Sequence, residues 1–250
     1  MSIIERTNDV LVYSHKSFPF DKGLLRTTQT LKREDDVSFY PLKVQPENLK
    51  RSTNFYISGP QMQIESLFRI DSLNVFVEFS LKDPLFYEFL MGLDNFLVSS
   101  LVKTASLAAT SSRKKKSLQY FTHHHKSLIN PSPSMHPYLP TFRARLRIDE
   151  NQGDVITGFF DEDDSIVDIT PDNLEENITK GTQAIPVFLI PGIMCSQYSS
   201  QAELILYQLK YKTPIVKKNK FVLPQSAILD DEDTDDENDF VPDPTDTDEP

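Results

Sequence analysis

Residues 72–81, SLNVFVEFSL, alternate over their whole length. Leu73, Val75, Val77, Phe79 and Leu81 point one way, and Ser72, Asn74, Phe76, Glu78 and Ser80 point the other. Successive side chains of a strand project to opposite faces, so this segment is a half-buried strand of period two. TFRARLRID (141–149) repeats the pattern, with Phe142, Ala144, Leu146 and Ile148 inward and Thr141, Arg143, Arg145 and Arg147 outward. Further strand-like segments are TNFYIS (53–58), ended by the Gly59-Pro60 turn, then QMQIESLFRI (61–70) and GDVITGFF (153–160). QAIPVFLIPGIMC (183–195) reads as a continuous buried strand interrupted by prolines. In QAELILYQLKYKTPIV (201–216), Ile205, Tyr207, Leu209 and Tyr211 share one face, and Lys210 and Lys212 the other.

Helices fall between these strands. Asp83 is an N-cap and Pro84 the first helical residue, followed by Leu85, Phe86, Phe89, Leu90, Leu93, Phe96 and Leu97 as a core-facing stripe. SLQYFTHHHKSLI (117–129) reads as a second helix, and DNLEENI (172–178) as a short third one, closed by Gly181. Five to seven strands with two or three helices, and no regular strand–helix–strand alternation, fit a mainly β fold: an antiparallel barrel with helical insertions rather than a doubly wound sheet. Residues 1–50 form the margin of this domain, with short strands in LVYSHKSF and VSFYPLKV, and residues 51–229 form its body.

The segment Asp230–Pro250 is of another kind. Twelve of its residues are Asp or Glu and none is Lys or Arg. It cannot bury enough apolar surface to offset its ordering entropy, which predicts a disordered tail. The tail carries the chain's net charge of −11: residues 1–229 hold 25 acids against 26 bases, a net of about +1. Within that near-neutral body, no Asp or Glu occurs between Asn95 and Ile148, whereas Lys103, Arg113, Lys114, Lys115, Lys116, Lys126, Arg143, Arg145 and Arg147 all do. Tyr120, Phe121, Tyr138 and Phe142 are interleaved with them.

Sites for chemistry are few. With only seven Gly there is no Gly-rich phosphate loop, and the lone Cys195 removes the zinc patterns built on paired cysteines. His123, His124 and His125 are consecutive on a predicted helix, so they fan out and read as surface residues. The DEDD run at 161–164 reads as a solvated loop; a metal-dependent nuclease using Asp161, Asp163 or Asp164 is its alternative. No Ser/His/Asp or Cys/His arrangement stands out. The expectation is a protein that is not an enzyme and takes no cofactor or metal. One cysteine fits a reducing compartment. No apolar run reaches the roughly 20 residues of a membrane span, and MSIIERTNDV is not a signal peptide, so no membrane partner and an intracellular, unsecreted chain are expected.

What remains is a binding surface. A cationic groove with aromatic faces is how single-stranded nucleic acid is held, each stacked base contributing about 1–3 kcal/mol. The outward guanidiniums of Arg143, Arg145 and Arg147 stand about 6.6–6.8 Å apart, close to the phosphate spacing of an extended strand. The alternative is a solvated strand face with local ion pairs, which the absence of acids nearby in sequence argues against. Candidate ligands are these three arginines with Arg113, Lys114, Lys115, Lys116, Lys210 and Lys212 for the backbone, and Phe76, Tyr120, Tyr138, Tyr207 and Tyr211 for stacking. Phe76, on the polar face of its strand, either stacks on a base or is covered by a loop.

YLPTFRARL (138–146), the GFFDEDD turn (158–164), KGTQAIPVFLIPGIMCS (180–196) and LILYQLKY (204–211) together resemble the single-stranded DNA-binding proteins of large nucleocytoplasmic DNA viruses. These are similar in plan to those of short-tailed phages. The resemblance covers roughly residues 50–216. Leu139 stands where the family pattern has a proline, and Met194 where it has an aromatic residue. The resemblance implies an oligonucleotide/oligosaccharide-binding (OB) barrel that coats single-stranded DNA in viral replication and recombination, in a host cytoplasmic virus factory or nucleus, with possible homo-oligomerisation. It also implies a tail that competes with DNA and recruits replication proteins through Asp235, Asp236, Glu237, Asp239 and Phe240. The alternative function is an acidic-tailed structural or chaperone-like protein of a virion or replication complex.

Overall fold

The computed structural model describes residues 3–7, 10–20, 23–27, 31–32, 37–46, 51–108, 123–132, 139–196 and 198–212. The chain divides into a unit of Met1–Pro214 and a unit of Ile215–Pro250, and every described residue belongs to the first. The tail, Arg113 to Lys116, Tyr120 and Tyr138 lie outside the described residues.

The N-terminal strands are β1 (Ile3–Thr7), β2 (Val10–Ser14), β3 (Leu25–Thr27), β4 (Leu31–Lys32), β5 (Ser38–Val44) and β6 (Thr53–Ser58). Then come β7 (Met62–Arg69), β8 (Val75–Ser80), the helix α1 (Pro84–Ala108), β9 (His125–Lys126), β10 (Ile129–Asn130), β11 (Thr141–Leu146) and β12 (Gly158–Phe160). A short helix α2 (Leu174–Asn177) leads into β13 (Gln183–Ile190), β14 (Gly192–Cys195), β15 (Ser200–Ala202) and β16 (Ile205–Lys212).

Five of these strands close a barrel in the order β7-β8-β11-β16-β13 and back to β7. Four junctions are antiparallel; β11–β16 is parallel, with Arg145 opposite Ile205. This is the mainly β barrel expected from the sequence, with one parallel junction among its antiparallel ones. In chain order the ring runs first, second, third, fifth, fourth, with the third and fifth strands parallel. That is the strand arrangement of an OB-type Greek-key barrel.

Alternation fills the barrel. Val75, Val77, Phe79, Phe142, Ala144, Leu146, Ala184, Phe188 and Ile190 are buried. Phe79, Phe142 and Phe188 form a ring cluster with centroids 5.4–5.9 Å apart. The helix α1 starts at Pro84 because Asp83 Oδ1 accepts the free N–H of Phe86 at 2.8 Å. Phe86 packs on Phe142 and Phe188 at 5.5 and 6.0 Å, and Phe89 continues the aromatic contact to Phe18 and Phe55. By length and composition, Pro84–Lys103 is long and apolar enough to cross a membrane, contrary to the sequence reading; in this fold 44% of that window is buried.

The strand β13 joins the barrel to the N-terminal strands. Its first residues pair with β7 and its last four, Val187–Ile190, pair with β6. The Gly59-Pro60 turn makes that hand-over possible. Pro186 sits opposite it, and its carbonyl accepts from Gly59 N at 2.9 Å. The missing N–H of the proline thus falls at a corner between two partner strands, the kind of place a central strand tolerates one. Beyond β6 the sheet continues through β5 and β14, and β2 pairs with β6 in parallel. The short strands read in residues 1–50 are therefore integral to the sheet.

Candidate nucleic-acid interface

In an OB barrel, ligands lie across the outer face of the second and third strands, between the turn joining strands one and two and the segment joining strands four and five. Here those elements are β8, β11, residues 70–74 and residues 191–204. A groove of about 600 Å³ lies at this place. Phe68, Phe76, Arg143, Lys126 and Gln201 are among its walls.

The outer face is built by strand register. Phe68 of β7 is opposite Phe76 of β8, which is opposite Arg145 of β11, so the three form a row. One step along, Ser66, Glu78 and Arg143 form the next row. Phe68 reaches this face because the β7–β8 register shifts between Ile64 and Ser66. That bulge breaks the period of QMQIESLFRI, and no residue pattern there singles out Phe68 as outward.

The acids missing nearby in sequence return through the fold. Arg143 Nε donates to Glu78 Oε1 at 3.2 Å, and Arg145 Nε to Glu203 Oε1. Glu78 is fixed further by Ser66 Oγ at 2.9 Å and Thr141 Oγ1 at 3.0 Å. Two arginines of the supposed unpaired stripe are thus ion-paired. Among the described residues no carboxylate lies within ion-pair distance of the third, Arg147; its guanidinium sits 5.0 Å from the Tyr207 ring centroid. Tyr207 also meets Tyr56 edge-on at 4.7 Å. Arg143 lies over Phe68, its Cζ 4.1 Å from the ring centroid.

Two readings of β16 need correction. Tyr207 and Tyr211 do not share a face. The β13–β16 register shifts between Val187 and Phe188, which pair with Gln208 and Leu206, so Tyr207 is the extra residue of a bulge. Alternation then restarts out of step: Tyr207 stays outside, while Leu209 and Tyr211 turn inward. Tyr211 is 5% exposed, packs edge-on against Phe159 at 6.2 Å, and has its hydroxyl pKa raised by burial, so its ring offers no base a surface. Lys210 and Lys212 are outward but do not reach the groove. They pair with the DEDD turn instead, Lys210 with Asp164 at 2.6 Å and Lys212 with Glu162 at 2.7 Å. Asp161 Oδ1 closes that turn by accepting from Asp163 N and Ser165 N, each at 2.9 Å. Of the carboxylates of the nuclease alternative, Asp164 is therefore engaged in counter-charging a lysine and Asp161 in shaping the turn. Among the described residues no group of three or more His, Cys, Asp or Glu is arranged to hold a metal.

The histidine run also differs from its helical reading. His123 and His124 are helical and exposed, but His125 begins β9 and its side chain is only 6% exposed. Its Nε2 lies 3.1 Å from Asp94 Oδ1 on α1, and its Nδ1 3.0 Å from Ser200 Oγ on β15. This is a Ser/His/Asp array that the sequence did not reveal, its members separated by 31 and 75 residues. Ser200 is 2% exposed, so no substrate reaches its hydroxyl. The array instead fixes β9, which pairs in parallel with β15 and sets Lys126 beside Gln201 on the groove wall.

No protein-family model matches the chain, and no curated protein matches it. Among solved structures it is similar to the single-stranded DNA-binding protein from bacteriophage Enc34, with a TM-score of 0.36 and 10% identity over 74% of this chain and 88% of that one.

Proposed function

We propose that this protein is a non-enzymatic single-stranded DNA-binding protein that coats exposed strands during replication or recombination. The observation that carries the reading is the groove on the outer face of β8 and β11. It joins aromatic walls (Phe68, Phe76) to cations (Arg143, Lys126) at the position where OB barrels take oligonucleotides. Bases stack on the aromatic walls, and the backbone runs past Lys126 toward Arg147. Arg113, Lys114, Lys115 and Lys116 are further candidates for backbone contact, and Tyr120 and Tyr138 for stacking. The acidic tail, Asp230–Pro250, competes with DNA for that face and presents Asp235, Asp236, Glu237, Asp239 and Phe240 to replication proteins. The setting is intracellular and viral.

One observation favours a second reading. Arg143, Arg145, Lys210 and Lys212 all carry carboxylate partners, which leaves much of the barrel surface neutral. In an acidic-tailed structural or chaperone-like protein the tail is the active element and the barrel its carrier.

Fluorescence anisotropy of a labelled thirty-mer of oligo-dT, titrated with salt and compared with a duplex, separates the two. The first reading expects single-strand binding that weakens with salt and tightens when 230–250 are deleted. No binding to oligo-dT at low salt overturns it. Loss of a basic partner on deleting the tail, with no change on DNA, establishes the second.

A further inference from the structure

We infer that Arg143 is a stacking plane for a base, held on Phe68, and not a ligand for phosphate. The inference rests on the single-strand reading above and assigns this residue a role different from that of its neighbours in the arginine stripe.

Three features of Arg143 set it apart. First, its guanidinium lies on the face of an aromatic ring, 4.1 Å from the Phe68 centroid. Second, it is anchored edge-on through Nε by Glu78, whose side chain is only 14% exposed and accepts from Ser66 and Thr141 as well. A carboxylate with three partners is not released easily, so the positive charge is already neutralised in the free protein. Third, the Arg143 side chain is still 50% exposed and lines the groove. A planar cation with one face on a ring, its Nε edge on a carboxylate and half its surface open offers that surface to a flat partner. Guanidinium planes stack on nucleobases as they do on aromatic side chains. The partner chemistry is therefore an unpaired base, whose face is hidden in a duplex. Phosphate contact falls to cations without a carboxylate: among the described residues, Arg147 and the groove-lining Lys126 have none within ion-pair distance.

A phosphate ligand releases counterions when it binds, and a stacking plane does not. For a single strand, each phosphate contact contributes about 0.7 to the slope of log K against log salt. Oligo-dT binding is measured across a salt series for the wild type, Arg143→Lys, Arg143→Gln and Arg147→Gln. A parallel series uses an oligo-dT carrying one 2-aminopurine, whose fluorescence is quenched on stacking.

Both Arg143 variants are expected to bind about tenfold more weakly with the wild-type slope, and to lose the quenching. Arg147→Gln is expected to flatten the slope by about 0.7 and keep the quenching. Recovery of wild-type affinity by Arg143→Lys, or a slope flattened by about 0.7 in Arg143→Gln, overturns the inference while leaving single-strand binding intact. A wild-type chain that does not bind oligo-dT overturns the functional reading itself.

Discussion

His125 Nε2 lies 3.1 Å from Asp94 Oδ1 across a gap of thirty-one residues, both side chains nearly sealed from solvent. The second oxygen of Asp94 accepts from Ser127 Oγ at 2.8 Å and from Leu128 N at 3.0 Å. One carboxylate on α1 thus gathers the chain as it returns from the basic segment. Removing one member of such a buried set leaves the others without partners. Asp94→Ala is expected to cost about 3–5 kcal/mol of unfolding free energy, read by urea denaturation. A loss below about 1 kcal/mol would show that the set does not hold the fold.

Tyr207 and Tyr211 give a second test, because only one of them is outside. Tyr211→Phe is expected to leave oligo-dT affinity unchanged, since the ring is packed on Phe159 inside the barrel. Phe76→Ala, on the groove wall, is expected to weaken binding by about 1–3 kcal/mol with an unchanged salt slope. Equal losses in the two variants would remove the distinction between the faces.

Gly192 occupies backbone that other residues rarely adopt, at φ +157°, where β13 gives way to β14. A Cβ there would fall 2.2 Å from Tyr40 O and 2.9 Å from the Phe39 ring. The first neighbour is main chain of the paired strand β5 and cannot rotate away. Gly192→Ala is expected to destabilise by about 1–3 kcal/mol or more, with a lowered thermal midpoint as the readout.

His15 supplies a pH dependence with a definite sign. Burial lowers its pKa below the ordinary histidine value of 6.5, outweighing the opposing bond from Nδ1 to Ser58 O at 2.7 Å. Among the described residues its buried Nε2 has no partner, so charging it in place is unfavourable. Below 6.5 the unfolded chain takes up this proton and the folded chain does not. The contribution is therefore intact above 6.5 and is lost as pH falls from there toward the depressed folded value. His15→Asn, whose amide can still donate to Ser58 O, is expected to flatten the fall in stability between about pH 7.5 and 5.5. A wild-type and variant difference that is constant over this range would exclude His15 as the titrating group.

The barrel was readable in the sequence where alternation is unbroken. Within SLNVFVEFSL and TFRARLRID, 75–80 and 141–146 became β8 and β11 with their faces as read, except that Ser80, read as outward, is buried and donates to Gln63 O. Asp83-Pro84 marked the start of α1 for a local reason, the capping bond to Phe86. Where the chain inserts one extra residue, the reading failed. The bulge at Tyr207 moved Tyr211 indoors, and the one beside Glu65 set Phe68 outside. A bulge depends on the partner strand, so it leaves no mark in a single sequence. Ion pairs were hidden for a related reason. Glu78 lies 65 residues from Arg143, and Glu203 lies 58 from Arg145, so an acid-free stretch of sequence was not an acid-free surface.

The parallel junction between β11 and β16 has a consequence in time. Both barrel neighbours of β16 precede it in the chain, so the ring stays open until residues 205–212 have been synthesised. Until then the stretches of β11 and β13 that β16 will cover carry unpaired peptide groups, and Arg145 precedes its partner Glu203 by 58 residues. A message cut short before codon 205 therefore yields four of the five strands with two adhesive rims, a substrate for aggregation or proteolysis, in place of a weaker version of the finished molecule.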